Sequence, residues 1–332
     1  MTDLLAGPAP IRAAAQRHPG GTRALNMGRV VLGKVASALI VLFVVATVAF
    51  LLVRMSGDPL ALLLPPDATQ QQAEQLAAEL GLDQPLLVQY LHYLSGMLHG
   101  DLGQSIFFDQ PVVSLIGERL PATALLAVAA LVLSLVISLP AGILASAHRG
   151  RITDTVISGI VLIGQSTPAF WIGILFILLF AVRLRVLPAA GYGGAAHLVL
   201  PAITLAIYSI AVVARVLRTS LAEELSADYI RTATAKGLSR RQVVVGHGLR
   251  NASLPVVTVV GLELGSLLGG AILTEQVFSW PGIGRLTVEA ISNRDFALVQ
   301  GAVLFFALVF VVVNLLVDLS YTLLDPRVRL GR

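Results

Sequence analysis

Glu263 is the residue whose chemistry first asks for an account. It stands near the middle of an apolar run over 254–274, where an acid costs on the order of 2.5 to 3.5 kcal/mol on insertion scales. A carboxyl group kept there suggests a use: it faces a pathway for polar solute, or a polar partner on another chain. A protonated, hydrogen-bonded acid is the plainer alternative. The same run carries Gly261, Gly265 and Gly269, a small-residue seam that lets a second helix approach closely. At about 100° per residue, Glu263 lies roughly 160° from that seam, so the carboxyl group and the packing face point different ways. Asn314 and Asp318, four apart near the end of the last apolar run, can share a helix face. They read as interhelical hydrogen-bonding groups or as further pathway residues.

Other chemistry is missing from the sequence. It contains no GxxxxGK[ST] phosphate cradle, no HExxH, no GxSxG elbow, and no His and carboxylate cluster at ligand spacing. With no phosphate cradle the chain is not expected to hydrolyse ATP itself. The histidines are scattered; His92 and His99 could share a helix face but read as a solvated one. Cysteine is absent, which removes disulfides, thiolate metal sites and cysteine nucleophiles.

A second feature is a polar, basic stretch between two apolar blocks, Asp228 to Pro255. Ser220 with Glu223 has the form of a capping box, and Lys236 followed by Gly237 gives a cation in a last turn and a left-handed stop. Ser239 with Gln242 forms a second capping box. The pattern predicts a helix, a hinge at Gly237 and a second helix, with Pro255 in the first turn of the next span. A DNA-reading helix-turn-helix does not fit, because both ends are tied to apolar runs within a few residues. A plain basic loop explains the charge but not the paired caps. A docking platform for a cytoplasmic partner explains both.

The elements that must position these residues are membrane spans. The chain has 332 residues, 56% hydrophobic and only 13% charged, against about a quarter charged in soluble domains. A bilayer core of about 30 Å needs roughly 20 apolar residues per helix. Six runs qualify: 35–54, 122–147, 156–182, 200–217, 254–274 and 299–320. Most basic residues fall on one side if residues 1–34, the 218–253 loop and the 321–332 tail are cytoplasmic, and that asymmetry predicts both termini inside. The first run is too long for a signal-peptide core and reads as an anchor. Met27 offers an alternative start, which would leave the first 26 residues optional. Residues 55–121 read as an external cap of small helices, one ending at Gly81 and one running from Pro85 to Gly100, with no strand pattern. The core is then 122–320. In "SWPGIG", Trp280, Pro281, Gly282 and Gly284 mark a turn, with a Trp suited to the membrane interface.

"YIRTATAKG" followed by "HGLRNASLP" resembles the cytoplasmic loop, known as the EAA loop, of permease subunits in binding-protein-dependent ABC importers, in its dipeptide, oligopeptide and nickel branch. Further stretches are similar to that branch: "GDP" at 57–59, "ELGLDQP" at 79–85, "QYLHYL" at 89–94, "GDLGQS" at 100–105, "STPAFWIG", "LTEQVFSWPGIGRL" and "NLLVDLSYTLLDPRVR". The resemblance covers nearly the whole chain from Met27. It implies an all-α, six-span type I ABC importer permease of the bacterial inner membrane, paired with a second, related permease. It implies two ATPase subunits, an extracytoplasmic binding protein, no nucleic acid, and no cofactor on this chain, ATP and Mg being held by the partners.

By position, Gly237 matches the glycine of the loop and Ala233 its second alanine. Arg231 and Thr232 stand where the generic loop has glutamate and alanine, a departure that suits the peptide branch. Asp228, Tyr229, Lys236, Leu238, Ser239, Arg250 and Asn251 complete the expected coupling surface. Gly248, where relatives commonly have alanine, is expected to loosen the second helix. The turn at Trp280 to Gly284 is implied to be a packed external turn near a gate, with an ordinary interfacial loop as the alternative. Relatives often have a neutral polar residue in place of Glu263. Dipeptides or oligopeptides lead as solute; nickel chelates, glutathione and opine-like solutes stay open. The rival from another class is a self-contained secondary transporter, which would show several intramembrane charges or a repeat with broken helices. A membrane enzyme lacks any nucleophile and base, and a scaffold would not explain the two-helix loop.

Overall fold

A computed structural model of the chain describes residues 20–55, 69–79 and 81–324. It divides into two compact units, Met1–Val41 and Leu42–Arg332. The described part of the first unit is the beginning of helix α1 (Gly20–Met55). The tail expected over 1–34 is therefore helical from Gly20.

In the second unit the elements after α1 are α2 (Gln70–Glu79), α3 (Leu86–Leu98), the strands β1 (Gln104–Ser105) and β2 (Gln110–Pro111), α4 (Val112–Ala147), α5 (Ile152–Ser166), α6 (Ala169–Phe176), α7 (Ala195–Leu225), α8 (Asp228–Ala235), α9 (Leu249–Val277), α10 (Ile283–Ser292) and α11 (Phe296–Leu324). Wider π-helical turns at Ile177–Arg183 and Gln242–Gly248 extend α6 and lead into α9. Among the described residues, five stretches are long and apolar enough to cross a membrane: Leu32–Met55, Val112–Ala147, Ala195–Leu225, Gln242–Val277 and Phe296–Val317. The sixth expected span is not one straight helix.

In place of a single helix over 156–182, α5 and α6 meet at a bend of 103°. The cause is local: Pro168 has no N–H to continue the ladder, and its ring drives Thr167 out of the helical region. Both residues are extended, with φ/ψ of −100°/131° at Thr167 and −59°/128° at Pro168.

Other prolines behave in the opposite way: Pro121 and Pro140 lie inside α4, Pro201 inside α7, and Pro255, expected in the first turn of a span, inside α9. Each removes one ladder bond, at a cost of about 3 kcal/mol, but around Pro121 and Pro255 the turns on either side are held by burial. Val112, Leu115 and Ile116 pack against α10 and α11 on one side of Pro121, and Leu126 and Ala130 pack against α7 and α9 on the other. Ala252 and Val256 bracket Pro255 against Val213, Leu217 and Leu221 of α7. Burying such aliphatic side chains contributes about 1.5–3 kcal/mol each, enough to carry the helix through.

The core is built around α4, α7 and α9. Gly142 lets α4 close on α7, since a Cβ there would lie 3.0 Å from the Ala214 carbonyl oxygen and from Leu217. In the cap, Gly81 and Gly100 stop the two short helices in left-handed conformations, with φ of +65° and +78°. Tyr90 of α3 hydrogen-bonds Thr47 of α1 at 2.6 Å, and Phe50 packs on the rings of Tyr90 and Tyr93. The antiparallel β1–β2 pair, absent from the sequence expectation, is held from outside its own residues. Asp295 accepts hydrogen bonds from Ser105 Oγ and from the Phe107 amide, and caps α11 by accepting from the Leu298 amide. The "GDP" stretch at 57–59 lies outside the described residues.

Candidate functional site

The residues singled out from the sequence gather at three places on or beside α9. The first is the turn after its C-terminus. Trp280, suited by type to a membrane interface and implied by the resemblance to stand in a packed turn, is buried at 1% exposure. Its indole Nε1 donates to the Ala122 carbonyl at 2.9 Å, and its ring meets Tyr192 edge-on at 4.8 Å. A Trp can be buried this way because its one polar atom has found an acceptor.

Beneath it sits Glu275, 0% exposed, a residue the sequence reading did not single out. Its Oε1 accepts from Thr123 Oγ1 at 2.7 Å and its Oε2 from the Arg285 amide at 3.1 Å, while Thr123 Oγ1 accepts from the Ile283 amide at 2.9 Å. Thr123 therefore links α4, α9 and the start of α10. A Cβ on Gly282 would overlap the Glu275 carboxyl group, and one on Gly284 would lie 2.5 Å from Ile272 Cα. Both glycines are needed for close approach. Pro281, just before them, is half-buried.

The second site is a cavity of about 460 Å³ at the α5–α6 break. Its polar lining comes from Gln165, Ser166 and Thr167 at the break, Tyr208 and Ser209 of α7, and Glu263 and Ser266 of α9. Glu263 is 7% exposed. The glycine seam lies elsewhere on α9: Cβ atoms on Gly261 and Gly265 would run into Val317 and Phe310 of α11. Gly269 has no neighbour within 4 Å of its would-be Cβ, so the seam ends before it. Asn314, on α11, is half-buried and does not line the cavity. Asp318 continues the same helix, and its side chain lies outside the described residues.

The third site is the loop between α7 and α9. The expected capping box at Ser220 and Glu223 is not a helix start. Those residues sit inside α7, which runs on to Leu225, and α8 begins at Asp228 behind Ala227, with no side-chain cap. An apolar seam carries α7 through, with Leu217 and Leu221 buried against α9 and the π turn before it.

Helix α8 ends at Lys236, and Gly237 takes φ +85° with open space where a Cβ would be. The second capping box forms as read. The Gln242 side chain accepts from the Ser239 amide at 2.9 Å and from its hydroxyl at 2.8 Å, and the Gln242 amide reaches Ser239 Oγ at 3.4 Å. Gly248 does more than loosen this helix. It abuts Leu221 and Leu225, which would stand 3.0 and 3.2 Å from an added Cβ, and so lets the π turn close on α7.

Helix α8 is two-faced. Ile230 and Ala233 are buried with Val243, with Leu225 and Leu238 packed alongside. Asp228, Arg231, Thr232 and Lys236 are exposed, and Asp228 pairs with Arg231 at 3.6 Å. A polar tie holds the platform at its base. The Tyr229 hydroxyl donates to Glu224, and Asn251 Nδ2 donates to the Tyr229 hydroxyl at 3.0 Å. Partial burial, then the Glu224 contact, push the Tyr229 hydroxyl above its ordinary pKa. Arg250 is exposed beside it.

Two further anchors escaped the sequence reading. Arg240 donates to the Ala147 carbonyl at the end of α4, and Arg218 of α7 forms a two-pronged ion pair with Asp154 of α5. Such pairs join residues 93 and 64 apart in the chain, so no local pattern announces them.

A helical membrane protein with this span order, a broken third span and a helical platform joining α7 to α9 has the fold of a type I ABC importer permease. Solved structures agree on the fold. The inward-facing MetNI methionine ABC transporter matches with a TM-score of 0.54 at 20% identity, over 64% of this chain and 96% of that one. An amino acid ABC transporter solved with histidines matches with a TM-score of 0.51 at 15% identity, over 62% and 92%.

Residues 138–330 match the family described as "Binding-protein-dependent transport system inner membrane component", and residues 27–127 match the N-terminal family of such membrane components. The chain belongs to this family of permease subunits. Similar relatives include a probable peptide ABC transporter permease, y4tP, of Sinorhizobium fredii, 42% identical over 91% of this chain and all of the relative. The glutathione transport permease GsiC of Escherichia coli K12 is 43% identical over 87% and 94%, and the dipeptide transport permease DppB of the same strain 42% identical over 82% and 90%.

Proposed function

We propose that this permease subunit moves dipeptides or oligopeptides across the bacterial inner membrane, with both termini cytoplasmic. A binding protein delivers the solute from outside. A second, related permease completes the pathway, and two separate ATPase subunits hold ATP and Mg, so this chain binds no cofactor of its own. The relatives that carry peptides, dipeptides and glutathione, itself a peptide, support the solute class. Nickel chelates and opine-like solutes are the remaining alternatives.

The observation that carries the coupling role is the two-faced α8. One face, Ile230 and Ala233, is packed on Val243 of the π turn that leads into α9, and the other presents Asp228, Arg231, Thr232 and Lys236 to a partner. Tyr229, Asn251 and Glu224 tie it to both flanking spans, so a push on α8 reaches α7 and α9 together. That is the form of a lever that alternates access to the Glu263 cavity. The turn from Trp280 to Gly284, held on α4, is proposed as the fixed external side of the same pathway.

The experiment is a mild-detergent purification of the tagged chain from its native membrane, beside Gly237→Asp. The substitution adds a charge and a side chain at a left-handed residue with open space around it. Its expected result is loss of the ATPases and of ATP-driven uptake, with membrane insertion and elution intact. A Gly237→Asp chain that keeps its ATPases and normal uptake refutes the coupling role. A wild-type chain that purifies alone and moves solute without ATP refutes the importer reading.

A further inference from the structure

The cavity at the α5–α6 break is chemically lopsided. Its neutral polar groups are Gln165, Ser166, Thr167, Tyr208, Ser209 and Ser266; its one carboxyl group is Glu263; and no Lys or Arg lines it. Among the described residues, the salt bridges are Arg218 with Asp154, Arg231 with Asp228 and Arg285 with Glu289, and none involves Glu263. A carboxylate sunk to 7% exposure without a basic partner is costly in an apolar span unless it takes up a proton or a cation comes to it. The cavity opens on the surface of this chain, where Tyr208 in its lining is 46% exposed. Its volume of about 460 Å³ falls within the roughly 300–1,000 Å³ of small-molecule sites.

We infer that this cavity is a station on the solute's path that takes a positively charged amine, such as a peptide's terminal ammonium, against Glu263. The hydroxyl and amide groups around it can meet peptide N–H and carbonyl groups in either direction, because Ser, Thr, Tyr and Gln side chains both donate and accept. Leu205 and Leu267 supply apolar wall, and Thr167 and Pro168 at the break complete the lining. The arrangement selects charge at one end of the solute and is permissive along the rest. The inference rests on the importer reading above and gives that pathway a chemical preference.

The absence of cysteine makes the test clean. Ser266→Cys places the only thiol of this chain in the cavity, and the full chain with its co-purifying partners is reconstituted in nanodiscs, with and without Glu263→Gln. Modification of the introduced thiol is followed by mass spectrometry using a cationic and an anionic methanethiosulfonate reagent of similar size. The cationic reagent is expected to react at least tenfold faster, relative to free thiol, and Glu263→Gln is expected to remove that bias. Millimolar alanylalanine amide, a cation, is expected to protect the thiol in the protein that keeps Glu263, while N-acetyl-alanylalanine, an anion, does not.

Equal rates for the two reagents would show that Glu263 brings no charge to the cavity and would overturn the inference. So would a bias that survives Glu263→Gln, or a bias without protection by the amide. ATP-driven peptide uptake by the wild-type assembly, measured separately, reports on the importer reading alone, so the two can fail independently.

Discussion

Gly282→Ala isolates one atom's worth of steric demand. The backbone at Gly282, φ −103° and ψ −177°, is open to any residue, so the substitution carries no conformational penalty of its own. Its whole effect comes from the methyl group, which would overlap the carboxyl group of Glu275. Glu275 has nowhere to go: it is 0% exposed and holds Thr123 Oγ1 at 2.7 Å and the Arg285 amide at 3.1 Å. Overpacking costs about 1–3 kcal/mol, and displacing the carboxyl group from one such hydrogen bond adds about 1.5–3 kcal/mol. The expected loss is therefore about 3 kcal/mol or more. It is read as a lower apparent melting temperature and a shorter half-life of the monodisperse fraction in detergent.

The decisive comparison is a double-mutant cycle. Glu275→Ala alone destabilises by removing the tie to α4, but it also clears the space the methyl needs. In that background Gly282→Ala should cost less than about 1 kcal/mol, a coupling of about 2 kcal/mol. The same cost in both backgrounds, or a Gly282→Ala chain as stable as wild type, would refute the close approach on which the turn is built.

Two further expectations follow from the same packing. Gly261→Ala should weaken the α9–α11 contact, because the new methyl meets Val317, by about 1–3 kcal/mol. Gly269→Ala, with open space, should leave the isolated chain unchanged or up to about 1 kcal/mol more stable through helix propensity; thermal stability of the two variants in detergent separates them. Asp295→Ala should remove the cap of α11 and leave the Ser105 hydroxyl and Phe107 amide without their acceptor. The combined cost is about 3 kcal/mol, and limited proteolysis should open the 104–111 hairpin before the spans. A hairpin as protease-resistant as wild type would show that Asp295 does not hold it.

Much of this protein is written locally. The apolar runs set how many elements can cross a membrane, because about 20 residues of uninterrupted apolar helix are needed whatever the fold. Gly81, Gly100 and Gly237 stop helices where the sequence places them, since the left-handed conformation is a property of single residues. The Ser239–Gln242 box closes for the same reason: its partners are three residues apart. The separation of Glu263 from the glycine seam follows from helical geometry alone, and the loop motif and its neighbours marked the family.

What tertiary structure decided is where three prolines and four charges went. Pro168 breaks a span while Pro121 and Pro255 do not. The ladder bond each one loses is alike; the burial of the flanking turns, which bracket Pro121 and Pro255 with core side chains, differs. Glu275, Asp295, Asp154 and Arg240 looked like ordinary polar residues because their partners lie 152, 190, 64 and 93 residues away. Trp280 looked interfacial because its acceptor, the Ala122 carbonyl, belongs to another helix. A sequence states each residue's needs; only the packing of α4, α7 and α9 states which distant group meets them.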